Sequence, residues 1–124
     1  MTLKPLPKVL EQTQKVFNAY VRKRDEDETC ISCGSNSANQ AGHYFPVKGF
    51  SSLRYNEQNV NLQCASCNMY KYGNQAMYRI GLVRKIGEDA VKNLERQAVN
   101  DRVKKWTRPE LYEIINKYKN GETK

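Results

Sequence analysis

The hydrophobic and polar positions divide the chain into helical ends and a middle of different character. Near the start, Val9, Val16 and Tyr20, with Leu10, Phe17 and Val21 one step round, recur at the spacing of a helix face, predicting a helix from about Pro7 to Arg24. The acidic run Asp25 to Glu28 follows, and its unbroken charge predicts a solvated segment. Beyond Cys67, the positions Met77, Ile80, Gly81 and Val83 to Ile86 predict a helix that starts at Asn68 or Asn74 and stops at Gly87. Another is expected from Glu88 to Gln97, with Val91 and Leu94 inward. Thr107-Arg108-Pro109-Glu110 has the spacing of a capping box with proline in the first turn. Leu111, Ile114, Ile115 and Tyr118 then mark a last helix ending near Lys119.

The segment from Cys30 to Gln63 is rich in Ser, Asn and Gly and poor in aliphatics, with short strand-like pieces only at Ala41–Pro46 and Val60–Gln63. Such a stretch cannot build a core from its own side chains and needs a metal or flanking helices. The pattern predicts an α+β domain spanning 1–124: an N-terminal helix in 1–28, a core in 29–86 and C-terminal helices in 87–124.

Composition narrows the partner more than the fold. The 124 residues amount to one domain, and 21 Lys and Arg against 13 Asp and Glu leave a net charge of +8. Charge of this sign gathers polyanions, nucleic acid first among them. By itself it does not separate a nucleic-acid binder from a merely basic soluble protein. No apolar run reaches the ~20 residues of a membrane span, and Met1 to Leu10 lacks the apolar stretch of a signal peptide. The expectation is a cytoplasmic protein without membrane contact. With 8 Tyr but 3 Phe and 1 Trp, the small core calls for a staple beyond hydrophobic burial.

The cysteines suggest one. Cys30-Ile31-Ser32-Cys33 and Cys64-Ala65-Ser66-Cys67 form two C-x2-C pairs thirty residues apart. Two residues between cysteines let both sulfurs reach one ion from a tight turn, and two such knuckles complete the tetrahedral S4 shell of structural zinc. Two disulfides fit poorly with a chain lacking a secretion signal, and a redox pair needs no duplicate. An iron–sulfur cluster is the other metal reading. A closed S4 shell leaves no open position, so this ion is not expected to be a catalyst. Between the knuckles lies the one histidine, His43. A lone histidine is usually structural, but a neutral imidazole takes a proton from water near pH 7.

The order C-x2-C, then His43 ten residues on, then Asn59-x4-Cys64-x2-Cys67-Asn68, resembles the zinc-stabilised HNH nucleases of the His-Me finger (ββα-metal) class. The wider string resembles the NinG/Rap family of phage recombination endonucleases: Cys30-Ile31-Ser32-Cys33-Gly34, Ala41-Gly42-His43-Tyr44, Leu53 to Asn61, Gln63-Cys64, Cys67-Asn68, Gly73-Asn74-Gln75, Tyr78-Arg79 and Gly81-Leu82. The likeness is sharpest from Cys30 to Leu82 and covers most of the chain. It implies a zinc-stapled ββα-metal finger embedded among helices and a phage- or prophage-encoded, endonuclease VII-like enzyme of the bacterial cytoplasm. That enzyme would cut Holliday junctions or D-loops.

The resemblance also assigns roles. His43 would activate the attacking water, Asn68 would hold a catalytic Mg²⁺ or Mn²⁺, and Asn59 would pin the hairpin loop. Many HNH enzymes carry an acid directly before the histidine as a second metal ligand, where this chain has Gly42. Asn74 and Glu57 are the nearest polar substitutes, with Asn74 preferred. A neutral amide is a weak ligand for a hard cation, so metal binding without DNA should be weak. No small-molecule cofactor is expected.

DNA grip would come from Lys48, Arg54, Lys71, Arg79, Arg84 and Lys85, and the Arg84-Lys85 pair could equally be a solvated helix face. Tyr44, Tyr55, Tyr70, Tyr72 and Tyr78 interleave with these cations and could stack on unpaired bases. The alternative, expected for at least half of them, is packing around the zinc knuckles. Cutting two strands of a junction favours a homodimer, through the apolar face of the first or last helix. Two rivals stand beside the resolvase reading: a non-catalytic zinc module that binds nucleic acid, and an HNH nicking enzyme without junction preference.

Overall fold

The computed structural model describes residues 3–119, and within them the architecture is mixed α+β. Helix α1 (Leu6–Arg24) leads through the first cysteine pair to strand β1 (Gln40–His43). A long connection with a 3₁₀ turn at Ser51–Leu53 returns as strand β2 (Val60–Gln63). A single π-helical turn, Ser66–Tyr70, precedes α2 (Gln75–Ile86), α3 (Glu88–Asn100) and α4 (Arg108–Tyr118).

Helix α1 buries Val9, Thr13, Phe17, Tyr20 and Val21, while Leu10 and Val16 pack at the flank. Thr13 enters this core because its hydroxyl donates to the Val9 carbonyl at 2.7 Å, leaving no orphaned donor. Helix α4 lies against α1 through Leu111 and Tyr118, the Tyr118 ring standing edge-on to Phe17 with centroids 5.1 Å apart. The capping box of α4 forms as its sequence predicts, with Thr107 and Glu110 each bonding the other's backbone N–H. Helices α2 and α3 are joined by Gly87 alone, at φ +93°, a conformation that favours glycine. Tyr78 and Leu82 of α2 pack with Val91, Leu94 and Ala98 of α3 and with Tyr44 and Leu53, forming a second core. α3 runs three residues beyond its expected end at Gln97.

The antiparallel pair β1–β2 lies between the cores, with His43 opposite Val60 and Gln40 opposite Gln63. β1 ends at His43, earlier than expected, and one further bond, Tyr44 N–H to the Asn59 carbonyl at 2.8 Å, extends the ladder. All four residues of β2 are buried, two of them polar. Asn61 donates to Gln58 O and Tyr78 Oη and accepts from Lys85 and Arg24. Gln63 donates to Ser32 Oγ and Gly73 O.

The acidic run is not wholly in solvent. Glu26 to Glu28 are exposed, but Asp25 is 2% exposed, 2.8 Å from Arg24 and 2.9 Å from Lys85, and accepts from Leu62 N–H. Burial alone would raise the Asp25 pKa. The Arg24 and Lys85 hydrogen bonds and charges outweigh it and hold the carboxyl below its ordinary range. Among the described residues no helix is long and apolar enough to cross a membrane.

Candidate functional site

Strand β2 organises both cysteine knuckles. Ile31 N–H donates to Leu62 O at 2.9 Å, clipping the first knuckle to the strand, and the strand runs directly into Cys64. Helix α2 seats on the same knuckle at Gly81, where a Cβ would come within 1.8 Å of Ile31 O. The Sγ atoms of Cys30, Cys33, Cys64 and Cys67 all lie within 4.8 Å of one another. All four cysteines are free, and the Cys33 and Cys64 sulfurs stand 3.7 Å apart, well beyond the ~2.05 Å of a disulfide.

This donor set fits a soft tetrahedral cation. Cys67 N–H and Asn74 Nδ2 point at the sulfurs of Cys64 and Cys67, at 3.5 and 3.4 Å. Cys30 is pulled down to about 7, where backbone N–H groups outweigh its burial, while burial and the neighbouring sulfurs push Cys67 up to about 12. Bringing all four sulfurs at this spacing to the thiolate form requires a positive ion between them, and the cluster could hold zinc.

A second arrangement lies beyond the sheet. His43, Pro46, Val47, Asn68, Tyr72, Gly73 and Gln75 line one open cleft of about 450 Å³. His43 closes β1, and its Nε2 lies 3.0 Å from the Arg54 carbonyl oxygen. A carbonyl only accepts, so Nε2 carries the proton and Nδ1 keeps its lone pair. Burial lowers the His43 pKa below its ordinary value, aided by the Arg54 charge and opposed by the Arg54 carbonyl, so the ring is neutral at pH 7.

Asn68 sits in the π-helical turn and donates from Nδ2 to Gln40 Oε1 at 2.8 Å. No donor among the described residues reaches its Oδ1. Asn59 is 0% exposed and ties the connection after β1: its Oδ1 accepts from Phe45 N–H at 2.8 Å, and its Nδ2 donates to Phe45 O and Leu53 O.

Other residues singled out from the sequence lie elsewhere. Asn74 is not a cleft residue: its side chain turns to Cys67, and with φ +46° it precedes α2. Glu57 is held between the Tyr20 and Tyr118 hydroxyls, at 2.9 and 2.6 Å, against the α1–α4 core. Lys85 is bound to Asp25 and Asn61, and Arg79 to Glu95 and Glu88. Arg54 Nε donates to Gln14 at 2.8 Å. Lys48, Lys71 and Arg84 are exposed and make no ion pair among the described residues.

The tyrosines divide differently from expectation. Tyr44 and Tyr78 fill the α2–α3 core and Tyr55 the α1–α4 core, so the packed ones support helices and not the knuckles. Tyr70 and Tyr72 are 77% and 92% exposed.

Gly42 has a physical explanation. A Cβ there would stand 1.9 Å from Gln63 Oε1, so no acid fits before His43. Gln63 and Gln75, which meet Gly42 and the cleft wall, stand in the strings of the resemblance without an assigned role, and Gln40, which holds Asn68, carries no sequence signal.

The comparisons with known proteins agree with one another. The family model described as Bacteriophage Lambda NinG protein matches residues 1–124. Proteins named "Protein ninG" from Escherichia phage 933W and Escherichia phage lambda are each 39% identical over 120 residues, 95% of this chain. The one from Salmonella phage P22 is 38% identical over the same length. The chain covers 58%, 57% and 58% of those three relatives, little more than half of each. No solved structure matches it. On the family model and these identities together, the chain belongs to the NinG family.

Proposed function

We propose that this chain is a metal-dependent endodeoxyribonuclease of the HNH, His-Me finger kind that cuts branched recombination intermediates such as Holliday junctions. One observation carries the reading: His43, whose Nε2 faces the Arg54 carbonyl and whose Nδ1 has no partner among the described residues, lines the same cleft as Asn68, whose Oδ1 accepts no bond among them. The order strand with His43, connection pinned by Asn59, strand, cysteine knuckle and helical turn with Asn68 supports it.

The chemistry follows from these atoms. His43 Nδ1 takes a proton from a water as its oxygen bonds to phosphorus, and the P–O3′ bond opposite breaks. A divalent cation at Asn68 would neutralise charge on the phosphate and the departing oxygen. The Arg54 carbonyl keeps the ring in the required tautomer and favours the imidazolium once the proton arrives. Zinc at the four cysteines is structural in this reading. DNA contact falls to Lys48, Lys71, Arg84 and the outer face of Arg54, with Tyr70 and Tyr72 free to stack on unpaired bases. Two copies would meet the need for paired cuts.

The test is Mg²⁺-dependent cleavage of labelled four-way junctions and of linear duplex with the same arms, by wild type and His43→Ala. Wild type should cut the junction preferentially, and the variant should lose at least about 100-fold in rate while still binding. Equal cutting by both proteins overturns the mechanism. Binding by wild type without cutting points to a non-catalytic zinc module, and equal cutting of junction and duplex to a nicking enzyme.

A further inference from the structure

Gly42 leaves open which second protein oxygen would face a cation held at Asn68, and the cleft contains a group built for it. Gln75 is the first residue of α2, and its Nε2 donates to the Tyr44 carbonyl at 2.6 Å. That bond uses the amide nitrogen inside the protein. Its Oε1 accepts no hydrogen bond among the described residues, and the residue lines the same cleft as His43 and Asn68.

Asn68 is arranged in the same way, with its nitrogen tied to Gln40 and its oxygen unmatched. An amide anchored by its nitrogen cannot present NH₂ to the cleft without breaking that anchor, so both residues offer carbonyl oxygens. Gly73 lies between Gln75 and the backbone of the histidine: a Cβ there would touch Gln75 Cγ at 3.8 Å and His43 O at 4.0 Å. The other unmatched oxygen nearby, Gln63 Oε1, is fully buried against Gly42 and out of a ligand's reach.

Carbonyl oxygens are ordinary ligands for hard divalent cations. We infer that Gln75 is a metal ligand, its Oε1 joining Asn68 Oδ1 as the protein side of a divalent-cation site beside His43. This takes its purpose from the nuclease reading, but the binding is measurable without cleavage. Two neutral amides give weak affinity, and a carboxylate in either place strengthens it.

The test is titration of the zinc-loaded 124-residue chain with Mn²⁺, free Mn²⁺ being read by its EPR signal. Gln75→Leu should weaken the apparent affinity about tenfold, as should Asn68→Ala, and Gln75→Glu, which gives up the Tyr44 bond but brings a charged oxygen to the cleft, should tighten it about tenfold, with zinc content unchanged. Mn²⁺ affinities of both Gln75 variants equal to wild type overturn the inference, and so does a wild-type chain that binds no Mn²⁺. Binding that depends on Gln75 in a protein that cuts no DNA supports the inference while removing the nuclease reading.

Discussion

Gln63 occupies the space that any side chain on Gly42 would need, its Oε1 lying 1.9 Å from the position of a Cβ there. Gln63 cannot simply move aside, because its Nε2 is committed to Ser32 Oγ at 2.9 Å and Gly73 O at 2.7 Å. Gly42→Ala should therefore destabilise the zinc-loaded chain by about 2 kcal/mol, and Gly42→Asp by more, since it sets a carboxylate against a buried oxygen. Urea unfolding measures both, and an unchanged midpoint for Gly42→Ala would show that Gln63 yields freely.

Asp25 joins the end of α1 to β2 and α2 through Arg24, Leu62 and Lys85. Asp25→Asn leaves two cations short of their partner and should cost about 3 kcal/mol at pH 7. The folded carboxyl titrates below its ordinary range, so its stabilisation is complete above the ordinary value of 3.8 and is lost as pH falls through the folded value. The stability gap between wild type and Asp25→Asn should be constant from pH 5 to 7 and shrink below about pH 4. A gap that widens in acid would contradict the network.

His43 titrates below the ordinary imidazole value, chiefly through burial. For a general base that must be neutral, cleavage should rise with pH through an apparent pKa under about 6.5 and level off by neutrality. A pH–rate profile on a junction substrate checks this, and a limb centred above pH 7 would exclude His43 Nδ1 as the base.

Gln40 would act on the proposed cation only through Asn68, as the acceptor for Asn68 Nδ2. Gln40→Glu keeps an acceptor in place and should retain metal affinity. Gln40→Lys offers only donors, turns Asn68 Oδ1 inward and should raise the metal concentration needed for half-maximal cleavage about tenfold. Equal metal dependence in the two variants would show that Asn68 does not need this contact.

Chelating zinc away from a zinc-loaded chain should unfold its middle, because structural zinc supplies on the order of 10 kcal/mol of folding free energy in small zinc domains. Far-UV circular dichroism and thermal melts with and without chelator measure the loss. A chelated chain with an unchanged melt would show that the knuckles close without metal.

What was readable in the sequence was whatever repeats or pairs. Phe17, Tyr20 and Val21 on α1 and the Thr107–Glu110 cap on α4 announce themselves by spacing, as do the two cysteine pairs. Asp25 was misread because burial of a carboxylate depends on Lys85, sixty positions away, which no local pattern encodes. The same contact takes Lys85 out of the set of cations expected to grip DNA, and Glu95 takes Arg79. At the cleft, resemblance leads to His43 and Asn68, and of the nearest polar residues it is Gln75 that lines the cleft while the preferred Asn74 faces Cys67. Consecutive positive φ angles from Tyr72 to Asn74 turn Asn74 toward sulfur and leave Gln75 on the cleft.

The inward row of β2 has a mechanical meaning. A strand held only by alternating greasy positions can be displaced by two residues and still hide its apolar face, and a one-residue shift reverses its faces. Neither is open to β2, where Asn61 and Gln63 are keyed to Tyr78, Lys85, Ser32 and Gly73, so either shift would strand several amides at once. The sulfur cluster at one end of the hairpin and the imidazole at the other thus keep a constant offset, however strongly the surrounding helices are pulled by a bound partner.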